Sequence, residues 1–386
     1  MEFSLNDEQQ ALQAAARDFA RHELAPKAAQ WDADSEFPRQ TIAKAGELGF
    51  CGIYAPESAG GLGLKRLDAA VIFEELAAGC TSTTAYITIH NMMTWVVSTW
   101  GQAEVLERWA PLLTSGRALG SYCLTEPGAG SDAAALRTRA ERHGDRYRIS
   151  GAKVFISGAG DTDLLLVMAR TSDDGARGIT AFAVPADSPG ISYGKKEHKM
   201  GWNSQPTRAI SFDGVEVPAE YRLGAEGEGF SIAMKALDGG RINIATCSVG
   251  TAQSALERAQ SYLNVRRQFG RELSQFQALQ FRLADMLTEL VAARQMVRLA
   301  AWKLDTGSLD ATTYCAMAKR YATDIGFNVA NEALQLHGGY GYTRELPLER
   351  HVRDNRVHQI LEGTNEIMRV IVARAVLREG ATEELR

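Results

Sequence analysis

The residue in this 386-residue chain best suited to move a proton is Glu362. It follows apolar Ile360 and Leu361 and precedes Gly363, in the run Gln359 to Glu366. A carboxylate in apolar surroundings resists ionisation, so its pKa rises and it becomes a better base near neutral pH. The same residue would also serve as a solvated glutamate at a helix start, favoured by the helix dipole. A second segment, Tyr122-Cys123-Leu124-Thr125-Glu126-Pro127-Gly128-Ala129-Gly130-Ser131-Asp132, offers glycines for close backbone approach and the hydroxyls of Thr125 and Ser131. It suits a planar ring edge or a diphosphate, and it would also make a plain glycine-rich turn. In Lys153-Val154-Phe155-Ile156-Ser157-Gly158, Phe155 has the shape to stack on a flat cofactor and Ser157 to bond to one, although Phe155 alone also reads as core. In His337-Gly338-Gly339-Tyr340-Gly341-Tyr342, the glycines end a helix and leave N–H groups for an anion, or act as a simple cap.

Composition narrows the classes. A net charge of -5 argues against general nucleic-acid binding, which needs a basic face. Local pairs such as Arg266-Arg267 still suit the phosphates of a small cofactor. Cys51, Cys80, Cys123, Cys247 and Cys315 are scattered, with no CxxC pair and no Cys/His metal spacing, which fits a reducing compartment and no metal. His22, His143 and His198 read as surface residues, and the six tryptophans, Trp202 and Trp302 among them, as packing residues. The N-terminus lacks the marks of a secretory signal or transit peptide, and no apolar run reaches transmembrane length. The expected location is the cytoplasm of a bacterium, or the mitochondrial matrix for a processed eukaryotic chain.

The elements that must hold these residues fall into three stretches. Residues 1–119 read as helices: Asn6 caps a helix from Asp7 with Gln9 in capping-box position, Pro26 marks its exit, and further helices cover 38–49, 67–79 and 83–100. Residues 120–226 read as a β domain. Tyr147 and Ile149 alternate with Arg146, Arg148 and Ser150, and Leu164-Leu165-Leu166-Val167 is a short apolar run. Ile210 and Phe212, then Val215 and Val217, continue it across an expected Asp213-Gly214 turn. Residues 227–386 are helical again. Leu283, Met286, Leu287, Leu290 and Val291 give one apolar stripe, and long helices with few breakers suggest a bundle.

Five segments (YCLTEPGAGSD, KVFISG, VRRQFG, QLHGGYGY and QILEGTNEI) stand in an order and approximate spacing that resembles the acyl-CoA dehydrogenase family along essentially the whole chain. The resemblance implies an α+β multidomain fold: an N-terminal helical domain, a central antiparallel, barrel-like β domain and a C-terminal four-helix bundle. It implies FAD between the last two, and a homotetramer, a dimer of dimers, in which a neighbouring subunit completes each site. By this resemblance Tyr122, Leu124, Thr125, Gly130, Ser131, Phe155, Ile156 and Ser157 surround the flavin. Arg266, Phe269, Gln277 and the cluster Gln335, Leu336, His337, Gly338 and Gly339 reach FAD across the subunit interface, and Thr364, Asn365 and Glu366 lie around its adenosine part. Ser157 departs mildly from the threonine common in relatives.

Glu362 matches the family's catalytic base. A subgroup instead carries its base just before an arginine on an earlier helix. Here that stretch reads Asp238-Gly239-Gly240-Arg241, and Gly240 has no carboxylate. Asp238, Arg241, Gly363, Ser131 and Arg374 match substrate-contact positions. The stretches 79–86, 201–208 and 239–245 resemble most the members that act on isobutyryl-CoA, ahead of butyryl-CoA and 2-methylbutyryl-CoA. The partners implied are an acyl-CoA substrate and electron-transferring flavoprotein. Relatives that bind without dehydrogenating tend to carry an added basic C-terminal domain, and they lie further from this sequence.

Overall fold

The computed structural model describes residues 4–378 and 380–385. Six helices open the chain: α1 (Asp7–Phe19), α2 (Ala28–Asp34), α3 (Arg39–Glu47), α4 (Arg66–Gly79), α5 (Thr81–Trp100) and α6 (Ala103–Thr114). Asn6 caps α1 as expected: its Oδ1 accepts from the Gln9 amide at 2.8 Å, and the Asn6 amide donates back to the Gln9 side chain at 3.3 Å. The first helix ends through a π-turn over Ala20–Leu24 before Pro26. From Thr81 to Ser98 every residue of α5 except Trp95 is buried, so this helix forms the centre of the molecule rather than a surface.

The strands β1 (Gly120–Cys123), β2 (Arg139–His143), β3 (Arg146–Ser157), β4 (Leu164–Arg170), β5 (Ile179–Pro185), β6 (Ile191–Tyr193), β7 (Thr207–Pro218) and β8 (Arg222–Leu223) form one eight-stranded sheet. Its order is β6-β7-β3-β2-β4-β5-β8, with β1 paired to β4. The sheet is mixed rather than antiparallel throughout, because β1 and β2 both run parallel to β4. Helices cover β4 as well as strands, and Leu164 to Ala169 are buried on both faces, which explains the unbroken apolar run. Asp213-Gly214 is not a turn. Strand β7 runs straight through it, pairing Phe212 with Gly151 and Val215 with Ile149. Two residues therefore face one, a bulge. Gly214 supplies the left-handed φ of +63° that it needs, and the Gly214 amide donates to Ser150 Oγ at 3.2 Å.

The remainder is α7 (Gly229–Val265), a short two-stranded ladder over 267–272, α8 (Gln277–Asp305), α9 (Ala311–His337), α10 (Leu348–Arg356) and α11 (Asn365–Val376). Helices α7, α8 and α9, joined by α4, pack around small residues such as Ala252, Ala255, Ala322 and Ala330, and α11 packs on α9. The expected α8 stripe divides. Met286 and Leu290 are buried, whereas Leu287 and Val291 are exposed beside Phe281. Trp302, expected to pack, is 47% exposed on the same helix.

Candidate active site

Glu362 lies in the turn that leads into α11. Its φ is +54° and that of Gly363 is +90°, two left-handed residues in succession. Such a conformation strains a residue with a Cβ and persists only where neighbours enforce it. Thr364 then caps α11, its Oγ1 accepting from the Ile367 amide at 3.3 Å. Asp324 on α9 pins both flanks of the turn, its Oδ1 accepting from Gln359 Nε2 and from Asn365 Nδ2, each at 2.8 Å. Together these contacts turn the Glu362 side chain inward, against α7.

There it meets a notch. A Cβ on Gly240 would stand 2.1 Å from Glu362 Oε2 and 3.0 Å from Met92 Sδ, so only glycine leaves room for the carboxylate. Oε2 is buried and has no hydrogen-bond partner. Burial pushes the Glu362 pKa up to about 7, while the charges of Lys319 and then Arg241 pull against that rise. The Glu362 amide finds no acceptor among the described residues.

Arg241 is buried, donating from Nη1 to Asp238 Oδ1 at 2.7 Å, and Thr312 donates to the other Asp238 oxygen at 2.6 Å. Trp202 walls the rear with Ile89 and Ile244, against Tyr122 and Leu361. Its amide donates to Asp354 at 2.6 Å, and its indole N–H to His358 Nε2 at 3.2 Å. Because indole only donates, His358 is the neutral tautomer that donates from Nδ1 to Ser248 Oγ, 2.7 Å away. Burial keeps its pKa down near 3, so it stays neutral.

The other positions named from sequence fall into two groups. Tyr122, Leu124, Thr125, Gly130, Ser131, Phe155, Ile156 and Ser157 lie on β1, on β3 and in the loop after β1. Leu124 and Ile156 are core residues there, whereas Phe155 stands 69% exposed at φ +57°. A Cβ on Gly128 or Gly130 would touch nothing within 4 Å, so the loop is an open backbone cradle. Arg266, Gln335, Leu336, His337, Gly338 and Gly339 line a cavity of about 480 Å³ with Tyr262 and Tyr340. The His337 ring is spent inside the protein, stacked on Tyr262 at 4.4 Å and bonded to Ala333 O at 2.7 Å, while Gly338 and Gly339 are open. Phe269 is 92% exposed, and Gln277, Glu366 and Arg374 lie on the surface. The side-chain amide of Asn365 is spent on Thr323 and Asp324.

Along α9, Gly338 follows Lys319 by nineteen positions, about 28 Å at helical rise. The glycines of the second group therefore stand at the far end of α9 from Lys319. Exposed Phe155 and open Gly128 to Gly130 fit a flat ring system, and the glycine N–H groups with Arg266 fit a diphosphate.

Three family models match in chain order: acyl-CoA dehydrogenase N-terminal domain over residues 6–117, middle domain over 121–215 and C-terminal domain over 227–377. The chain belongs to the acyl-CoA dehydrogenase family. It is accordingly an FAD-dependent oxidoreductase, and the two surfaces above suit that group. This acyl-CoA dehydrogenase is 52% identical to the mitochondrial isobutyryl-CoA dehydrogenase of Bos taurus over 375 residues, 97% of this chain and 90% of the relative. The mitochondrial isobutyryl-CoA dehydrogenase of Dictyostelium discoideum is 50% identical over 376 residues, again 97% and 90%. The solved butyryl-CoA dehydrogenase from Megasphaera elsdenii superposes with a TM-score of 0.94 at 39% identity, covering 98% of this chain and all of the other.

Sequence reasoning passed over three residues of this site. The sequence shows the carboxylate that Gly240 lacks but not the space it leaves, and it places Trp202 among packing residues and in the 201–208 stretch without its role as a wall. Lys319 had a legible signal, since it falls in the buried register of Cys315, Ala322 and Gly326 on α9.

Proposed function

We propose that this enzyme removes hydrogen across the α and β carbons of a short branched acyl-CoA, converting isobutyryl-CoA to methacrylyl-CoA in valine breakdown. The observation that carries this is the buried, unpartnered Oε2 of half-buried Glu362 in the Gly240 notch. Its raised pKa places it where a base is strongest without being fully protonated at neutral pH. Glu362 takes the α-proton onto Oε2. The free Glu362 amide meets the charge that develops on the thioester oxygen, as oxyanion-hole donors do. Asp238 and Arg241 hold the substrate side of the notch, and Trp202 limits the acyl end. FAD, when bound, supplies the two-electron acceptor. Gly363 contacts the substrate, and Ser131 and Arg374 contact its CoA part.

The 50–52% identities to two isobutyryl-CoA dehydrogenases support the branched substrate. Family resemblance supports electron-transferring flavoprotein as the onward electron carrier. Family resemblance also supports a second copy completing each site, in a homotetramer. The exposed apolar face of α8 is the kind of surface such an assembly covers. No described helix is long and apolar enough to cross a membrane. The working location is the bacterial cytoplasm, or the mitochondrial matrix for a processed eukaryotic chain.

The test is anaerobic bleaching of the flavin with isobutyryl-, butyryl-, 2-methylbutyryl- and isovaleryl-CoA in parallel. Fastest bleaching by isobutyryl-CoA is expected. Preference for another of the four discards the substrate and keeps the chemistry, and bleaching by none discards both.

A further inference from the structure

Lys319 is a lysine with no exposed surface, on the bundle helix α9 directly beneath the Glu362 turn. Its Nζ donates to the Gly363 carbonyl at 2.7 Å and to Asn365 Oδ1 at 2.9 Å. Among the described residues no carboxylate lies within salt-bridge distance of it. Buried lysines ordinarily pair with an acid, because an isolated charge in a protein interior is strongly disfavoured. This one instead grips the backbone on the C-terminal side of Glu362. Asn365, its other acceptor, is itself held by Thr323 and Asp324. The ammonium is therefore fixed relative to the turn from two directions.

We infer that Lys319 is a positioning residue for the catalytic base: it locks the left-handed Glu362-Gly363 turn and supplies the positive charge that keeps the Glu362 carboxylate ionised for catalysis. This rests on the reading of Glu362 as the base. The hydrogen bond to the Gly363 carbonyl fixes the peptide that follows Glu362, where strain must be held by the surroundings. The charge acts across a buried, low-dielectric gap, where a cation favours the ionised acid.

The surrounding groups are consistent with that role. Burial pushes the Lys319 pKa down, opposed by Glu362 first and by Asp324 and Glu366 as weaker negative neighbours, while Arg241 adds to the lowering; Lys319 and Glu362 thus favour each other's charged form. Lys319 and Arg241, from α9 and α7, are the cations acting on Glu362. Tyr54, Tyr122 and Cys247, the other titratable groups that feel its charge, are raised by burial and stay neutral. His358 is neutral for the same reason. Arg241 is paired with Asp238, so Lys319 is the less compensated of the two cations.

The experiment uses the FAD-loaded enzyme and its fastest acyl-CoA, with anaerobic flavin bleaching measured from pH 5.5 to 9.5. Lys319→Met removes charge and donor. Lys319→Gln keeps a donor and removes the charge, and Lys319→Arg keeps both. Removal of the charge should shift the acid limb of the profile upward by roughly one pH unit, a tenfold loss at pH 6 that closes by pH 9. Lys319→Arg should return the limb towards the wild-type position. A merely structural lysine would lower the rate equally at every pH, and that outcome, or an unmoved limb in the Gln variant with FAD bound, overturns the proposal. If the Met variant does not fold, the Gln and Arg variants decide. Glu362→Gln runs alongside. If it retains turnover, the base assignment itself fails. If it is inactive while the limb of Lys319→Gln stays put, only the role of Lys319 fails.

Discussion

Two glutamates in this molecule lie close to buried lysines, and they are opposites. Glu126, in the glycine-rich loop of the sheet domain, accepts from Lys153 Nζ at 2.8 Å and from the amides of Arg137 at 2.6 Å and Thr138 at 2.9 Å. Burial alone would push its pKa up, but the Lys153 charge and these donors outweigh it and hold the pKa below the usual carboxylate value. Glu362 is half-buried, with one buried oxygen that nothing meets, and its pKa rises to about 7. In the first region the lysine also donates to Leu124 O and ties the loop shut. In the second the lysine bonds to the backbone beside the glutamate and leaves the carboxylate free. A fully satisfied acid organises structure. An acid denied its partners is left with reactivity, because whatever proton acceptor strength it has is not already used.

The largest expected effects break this contrast in opposite directions. Glu362→Gln should lower the bleaching rate by about 10²–10⁴-fold, the usual share of a general base, with FAD content and folding unchanged. Lys153→Met should do the reverse. It strands the Glu126 charge in the interior and should reduce stability by about 3–5 kcal/mol in denaturant unfolding, with FAD lost along with the loop. Unimpaired turnover in the first variant, or unimpaired stability in the second, would remove the distinction.

The contrast also fixes why parts of this site were readable in the sequence and others were not. The order of helices, sheet and helices follows from periodicity, and the capping box at Asn6 and the alternation at Tyr147 and Ile149 are local patterns that the fold keeps. Asp213-Gly214 has the composition of a hairpin turn, and only the cross-strand pairing with Ile149 and Gly151 makes it a bulge. The stripe on α8 was legible as apolar but not as half covered, because nothing in its spacing tells a bundle core from an outward face. Glu362 stood out by its apolar neighbours in the chain. What makes it unusual comes from elsewhere: Gly240 more than a hundred residues earlier, and Lys319 on a packed helix. A notch that exists only where two helices and a turn meet leaves no local signature.

Smaller but better resolved is the dependence of stability on pH. Glu362 has a folded pKa of about 7 against an ordinary value of 4.5, so between these the folded state binds the extra proton. Stability then falls as pH rises through that window, by about 3 kcal/mol in full, and Glu362→Gln should become more stable than the wild type at pH 8 while matching it near pH 4. Glu126 has the opposite sign. Its folded pKa is lowered, so its contribution is present above about 4.5 and is lost as pH falls below that. Urea titrations of wild type and Glu362→Gln at pH 4, 6 and 8 check this. A constant difference between the two proteins would mean that Glu362 is not held against ionisation.

The smallest effect separates space from contact. An alanine at Gly240 places its Cβ 2.1 Å from Glu362 Oε2, and the turn cannot retreat because Lys319 and Asp324 fix both of its ends. The carboxylate must therefore swing away, and a displacement of about 1 Å at a reacting group lowers the rate by roughly 10²-fold. Helix α7 itself should gain, since alanine is favoured over glycine inside a helix by about 1 kcal/mol. Gly130→Ala makes the matching change in the other region. No protein atom lies within 4 Å of the new methyl, so any constraint there belongs to the cofactor rather than to the chain. Gly240→Ala should thus keep FAD and lose rate, whereas Gly130→Ala should keep the apo-protein's stability and bind FAD less tightly. Flavin content by absorbance, set beside the bleaching rate, reads both. Equal behaviour of the two variants would show that the notch at α7 is not built for the carboxylate, and the case for Glu362 as an acid shaped by its neighbours would lose its steric half.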